Sequence, residues 1–189
     1  MLNVLLIENN LDNTLLENSL KDYGFKFLKS QYSPAFLALA KEITPDIIIF
    51  NVDTPSKKLL ADLQTLNHLY PIPVVMFASD GNIDTINQAI KAEVSAFIVD
   101  GLEHNRINSI INVAIARFKH QQSLNNALEE ARAKLEDRKQ IDRAKAILIK
   151  TQNFTEDEAY HTLRKLAMDR NITLGEMAKN VIAMSELFK

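Results

Sequence analysis

Tyr160, Arg164 and Lys165 stand close together near the end of a 189-residue chain, in a stretch whose apolar residues recur at helical spacing. An aromatic ring and a guanidinium four residues apart share one side of a helix. A ring placed so can stack on an unpaired base while the neighbouring cations hold phosphates. The plainer fate of these side chains is a half-buried tyrosine and a surface ion pair from Arg164 to Glu156 or Asp169. Upstream, Lys139, Arg143, Ala146 and Lys150 fall within a narrow band at 100° per residue, and Ile141, Ala144 and Leu148 form an apolar stripe on the other side. The stripe reads as core. The basic band has two readings, a solvated face or a contact for an anionic polymer, and on pattern alone the solvated face is the commoner.

Other chemistry finds little material. There is no Cys, so disulfides and thiolate metal sites are excluded. The four His (68, 104, 120 and 161) are far apart, in no metal-ligand spacing. No nucleophile–base pair or carboxylate pair has usable spacing, so neither enzyme nor cofactor is expected. Residues 1–120 carry 10 Lys/Arg and 13 Asp/Glu, a net of −3, and residues 136–189 carry 10 and 9, a net of +1. That balance excludes a nonspecific polycation while leaving room for a local basic face. No apolar run reaches membrane-spanning length, and the first residues lead directly into the run Val4–Ile7 without a basic segment or cleavage site. The cytoplasm is the expected compartment.

The elements that must hold these residues differ along the chain. All five Pro fall before residue 74 and three of the four Gly before residue 102. The first part is therefore turn-rich, and the second is nearly pure helix. Compact apolar runs at Asn3–Ile7, Ile47–Phe50, Val74–Phe77 and Ala96–Val99, with a weaker one at Lys26–Ser30, predict strands. Helical patterns at about 12–23, 35–43, 57–69 and 83–92 lie between them. Five such alternations predict a doubly wound parallel sheet, whose ligand-facing residues end the strands: Glu8–Asn10, Asn51–Thr54, Ala78–Ser79 and Asp100.

From about Glu103 to Lys150 there is neither Gly nor Pro, which predicts one long helix or two nearly continuous ones. Leu124, Leu128, Ala131 and Leu135 step by four, three and four, a short coiled-coil seam. So short a seam is marginal alone, and those leucines could instead pack on the chain's own domains; a homodimer is the preferred reading. Helices at about 136–151, 156–169 and 174–187 then make a small bundle, with capping boxes at Thr155–Glu158 and Thr173–Glu176. The expected division is a sheet domain at 1–120, a coiled-coil linker at 121–135 and a three-helix domain at 136–189.

The strand ends, with Pro45-Asp46, Pro55 and Pro73 to Phe77 around them, resemble the response-regulator receiver domain over residues 1 to about 120. A receiver has an acidic pair for Mg²⁺, an acceptor Asp, a switch hydroxyl and a Lys. Here those positions hold Glu8-Asn9, Asn51, Ala78 and Asp100. Asn51 has no anionic oxygen to attack a phosphoryl group, and Asp100 puts negative charge where a cation is needed. Asp53 and Ser79 stand out of place, and Asp53 reads as a loop acid or a helix cap before Lys57. The resemblance thus implies a flavodoxin-like domain that binds a partner without being phosphorylated.

Arg138 to Leu148 and Thr155 to Met168 resemble the ANTAR domain, the RNA-binding module of bacterial antiterminators, in a match from about residue 125 to the end. The family usually has Gly where this chain has Ala146 and Met where it has Ile149. Carried over by position, the resemblance implies RNA contacts from Lys139, Arg143, Lys145, Tyr160, Arg164 and Lys165. With Ala96–Leu102 and Ala114–Phe118, the combination resembles the NasT-like regulators of nitrate and nitrite assimilation. It implies a protein restrained by a nitrate-sensing partner, which on release binds paired hairpin loops in a leader mRNA and keeps a terminator from forming. A DNA-binding response regulator is the alternative, although no helix rich in Arg, Asn and Gln reads as a recognition helix. A signalling adaptor that binds no RNA is a third reading.

Overall fold

The computed structural model describes residues 2–9 and 14–187. Two compact units divide it, one ending at Gln122 and one beginning at Ser123.

The first unit is built on five strands: β1 (Asn3–Glu8), β2 (Lys26–Ser30), β3 (Ile47–Val52), β4 (Val74–Ala78) and β5 (Ala96–Val99). All pair in parallel, in the order β2-β1-β3-β4-β5. Parallel pairing forces a crossover between neighbours. Helices α1 (Leu15–Asp22), α2 (Phe36–Ile43), α3 (Lys57–Leu69) and α4 (Ile83–Lys91) supply them, before α5 (His104–Gln152). Expected and observed elements coincide to within a few residues. Asn10 and the expected start of the first helix lie outside the described residues.

The period-two pleat divides each buried strand between two cores. Leu5, Ile7, Ile48, Phe50, Val74 and Met76 face the layer of α2, α3 and α4. Val4, Leu6, Ile47, Ile49, Val75 and Phe77 face α1 and the start of α5, where they meet Leu16, Leu20, Ile107 and Ile111. A side chain of this kind contributes about 1.5–3 kcal/mol when fully buried, so these central strands hold the sheet. The first turn of α5 is fixed on α1: His104 Nδ1 lies 2.8 Å from the Ser19 hydroxyl, and its ring stacks on Tyr23. Ser56 caps α3 by accepting from the Leu59 N–H, so of the two readings of Asp53 the exposed loop acid is the one observed and the helix cap is not.

The second unit comprises the C-terminal part of α5 with α6 (Glu156–Asp169) and α7 (Leu174–Leu187). Its core joins Ala144, Leu163, Ala167, Met177, Ala178 and Ile182, with Ile141 and Leu148 partly buried against them. Several of these residues are small, so the helices approach closely. Both capping boxes form, Thr155 with Glu158 and Thr173 with Glu176. Leu124, Leu128 and Leu135 are each about half exposed, at 51%, 50% and 57%, and Ala131 is exposed with them. Among the described residues, no helix is long and apolar enough to cross a membrane.

Candidate nucleic-acid interface

One ion pair orients the helices that carry the predicted contacts. Lys145 Nζ on α5 reaches Glu156 Oε1 at the start of α6, 2.9 Å away, which sets the Glu156 edge of α6 beside α5. Tyr160 and Arg164 follow Glu156 at four and eight residues, so they run along that edge, turning outward by about 40° each time. Tyr160 keeps 39% of its surface exposed and meets the His161 ring edge-on at 6.1 Å. Arg164 is exposed and, among the described residues, has no ion pair. The plainer pairing of Arg164 with Glu156 or Asp169 is not formed.

Lys165 is exposed as well but lies another 100° round the helix, away from this edge. The fold thus joins Tyr160 and Arg164 and separates Lys165 from them. On α5, Lys139, Arg143, Ala146 and Lys150 are all exposed along one band. Arg143 is bridged at 2.9 Å to Glu186 of α7. Lys145 stands apart from the other cations: 16% of its side chain is exposed, and it is held by Asp142 at 2.8 Å as well as by Glu156. Those two carboxylates, Asp142 first, hold its ammonium above the ordinary lysine range. Its charge is engaged in joining α5 to α6. Sequence reasoning missed the carboxylates Asp142 and Glu186, and gave Glu156 to Arg164 instead of Lys145. Asp142 could have been found from its i,i+3 spacing to Lys145, but the other two meet their partners only through tertiary structure.

At the strand ends of the first unit, Asn9, Asn51, Asp53, Ala78, Ser79, Asp100 and Gly101 border an open depression of about 320 Å³. A Cβ on Gly101 would stand 2.4 Å from Ile98 Cγ2, which explains why glycine follows Asp100. Glu8 does not border the depression; it is fully buried beneath it. The β1–β3 register sets Asn51 opposite Glu8, and the Asn51 amide donates to Glu8 Oε1 at 2.8 Å. From β2, Lys29 approaches Glu8 Oε2 at 3.0 Å and also donates to Glu17 of α1 at 2.6 Å. Oε2 takes no hydrogen bond among the described residues, so its contact with Lys29 is an ion pair. Burial pulls the Lys29 ammonium down, but Glu17 and then Glu8 outweigh that and leave it above its ordinary value. A receiver's divalent ion does not fit these donors. Both Glu8 oxygens have partners, and the second and third carboxylates are amides, Asn9 and Asn51.

A parallel sheet in this order, with residues such as Asn51, Ala78 and Asp100 at the strand ends, gives the first domain a receiver-like fold. Solved structures agree on the fold. The signal receiver domain of a modulated diguanylate cyclase from Desulfovibrio desulfuricans G20 is similar with a TM-score of 0.54 at 17% identity, covering 64% of this chain and 98% of that one. A response regulator from Thermotoga maritima gives 0.55 at 12% identity, covering 61% and 98%. Residues 129–182 match the ANTAR domain. The chain therefore carries a segment that matches the ANTAR domain, after a first domain with a receiver-like fold. It is similar to the transcriptional regulatory protein PdtaR of Mycobacterium tuberculosis, 26% identical over 144 residues, which cover 76% of this chain and 70% of the relative. It is also similar to the nitrate regulatory protein of Klebsiella oxytoca, 35% identical over 68 residues, covering 36% of this chain and 17% of that protein. These relatives are named as regulatory proteins.

Proposed function

We propose that this protein is an RNA-binding transcription antitermination regulator that acts in the cytoplasm as a homodimer. The observation that carries the reading is the edge of α6 inside the ANTAR match, where Tyr160 and Arg164 lie exposed side by side. Loop bases are unpaired and present faces on which a ring can stack, whereas the deep major groove of an A-form duplex admits no side chain. Tyr160 stacks on such a base, Arg164 takes the adjacent phosphate, and Lys139 and Arg143 neutralise phosphates nearby. Lys165 contributes at longer range from its own side of the helix. Lys145 serves by fixing α6 on α5, and its charge is not assigned to RNA.

Each bundle grips one hairpin loop of a pair in a leader mRNA, so that the terminator does not form. The seam Leu124, Leu128, Ala131 and Leu135 joins two chains, and effective concentration multiplies two weak contacts. The receiver-like domain accepts no phosphoryl group, because Asn51 replaces the acceptor and Asp100 the cation. Its input is a protein partner, and the similarity to a nitrate regulatory protein favours a nitrate or nitrite sensor. Acetyl phosphate with Mg²⁺ is expected to leave the intact mass unchanged, and a phosphoryl adduct would contradict this part.

Gel shifts separate the RNA reading from a DNA-binding one. A leader RNA with two adjacent hairpins is expected to be retained at roughly hundredfold lower protein concentration than a promoter duplex of equal length. Its affinity should fall with salt at a log–log slope of about −5 to −6, for about eight neutralised phosphates, about four per bundle. Equal retention of duplex DNA, or no RNA binding, would overturn the proposal.

A further inference from the structure

The receiver-like site carries a cation of its own. Glu8 is fully buried on β1, and burial of a lone carboxylate is strongly unfavourable unless a charge and hydrogen bonds compensate it. Compensation comes from both neighbouring strands. Asn51 donates from β3, and Lys29 reaches over from β2, where its register position lies opposite Leu6, two residues before Glu8. The pleat explains the reach: Lys29, Leu6, Glu8 and Asn51 all point to the face covered by α1, and there Glu17 takes a second hydrogen bond from Lys29 at 2.6 Å. The Lys29 side chain is only 16% exposed, so the ammonium is lodged against the buried carboxylate and not waving over the surface.

We propose that the Lys29 ammonium is a built-in replacement for the divalent ion of an ordinary receiver, pairing with the Glu8 carboxylate and holding the β1, β2 and β3 ends together without metal. The arrangement makes the first domain independent of metal as well as of phosphate. A lysine side chain, unlike a bound ion, cannot dissociate, so this end of the sheet stays in one charge state whatever the cell's Mg²⁺. The inference stands on the first unit alone and is independent of the RNA reading.

Thermal unfolding of the full chain, with and without 20 mM MgCl₂ at matched ionic strength, tests it. Wild type is expected to show the same Tm in both buffers to within about 1 °C. Lys29→Met strands Glu8 and lowers Tm without Mg²⁺ by about 5–15 °C. Mg²⁺ should then restore about 2–5 °C, because Glu8, Glu17 and the Asn51 carbonyl are free to meet it. Adding Glu8→Gln to Lys29→Met should recover most of the lost Tm and abolish the response to Mg²⁺. If the single variant fails to fold, recovery of a folded chain in the Lys29→Met, Glu8→Gln double variant supports the same conclusion. A wild-type Tm that rises with Mg²⁺, an unchanged Tm in Lys29→Met, or no recovery in the double variant would each overturn it.

Discussion

Arg143, Lys145 and Arg164 are three cations of the C-terminal unit, and meeting a phosphate costs each of them something different. Arg164 has no ion pair to give up among the described residues. Arg143 must exchange Glu186, an exposed pairing of the kind that contributes at most about 1 kcal/mol. Lys145 would have to leave two carboxylates and unfasten α6 from α5. A similar argument applies to Gly175 in the first turn of α7. A Cβ there would lie 2.6 Å from the Asp137 carboxylate, which sits against the helix start and 3.8 Å from Lys179. A carboxylate suits the positive end of the helix dipole. Gly175→Ala is therefore expected to lower Tm by about 1–3 °C by displacing Asp137, despite the helix propensity of alanine. In an Asp137→Ala background the same change should raise Tm, since about 1 kcal/mol of propensity is then unopposed. Thermal melts of the four variants check the sign reversal, and a fall in Tm in both backgrounds would contradict it.

The helices of the C-terminal unit start on two matching caps, and those caps give the unit a pH dependence. Backbone hydrogen bonds from Thr155 and Thr173 hold the Glu158 and Glu176 carboxyls below their ordinary value of 4.5. A depressed carboxyl contributes stability above its unfolded pKa and loses it as pH falls through the folded one. Urea unfolding of the C-terminal unit should thus weaken between about pH 5 and pH 3. Thr155→Ala should cost about 1 kcal/mol at pH 7, and Glu158→Gln should flatten part of the loss between about pH 5 and pH 3; an unchanged pH dependence in Glu158→Gln would refute the capping account. On α5, Leu124 and Leu128 are half exposed along the proposed seam. Replacing both by Asp is expected to convert a dimer into a monomer in sedimentation experiments. It should also weaken binding to two-hairpin RNA by at least about tenfold, leaving single-hairpin binding unchanged; a variant that stays dimeric would remove the seam. Strands and helices were legible because Pro and Gly punctuate compact apolar runs, and S/T-x-x-E boxes mark both late helix starts. Lys29 was not legible, since its meeting with Glu8 depends on strand register. Nor was the role of Lys145, because Glu156 reaches it only after the chain turns between α5 and α6. Lys165, adjacent to Arg164 in sequence, points about 100° away from it on the helix.

Across the whole chain, charge is deployed in opposite ways. In the first unit a mostly covered lysine is paired with a buried glutamate, and the positions that match a receiver's phosphoryl site hold amides, an alanine and an aspartate. In the second unit cations and one aromatic ring are left at the surface, on a segment that matches the ANTAR domain. In the proposed function, input comes from a protein partner and output goes to RNA, with no phosphoryl transfer between them. Fluorescence anisotropy of a labelled two-hairpin leader RNA, with the full chain and its Tyr160→Ala, Arg164→Ala variant, tests this most directly. Loss of one stacked base and one charged contact predicts binding at least about thirtyfold weaker with an unchanged circular dichroism spectrum. Affinity within twofold of wild type for the folded variant would contradict the account.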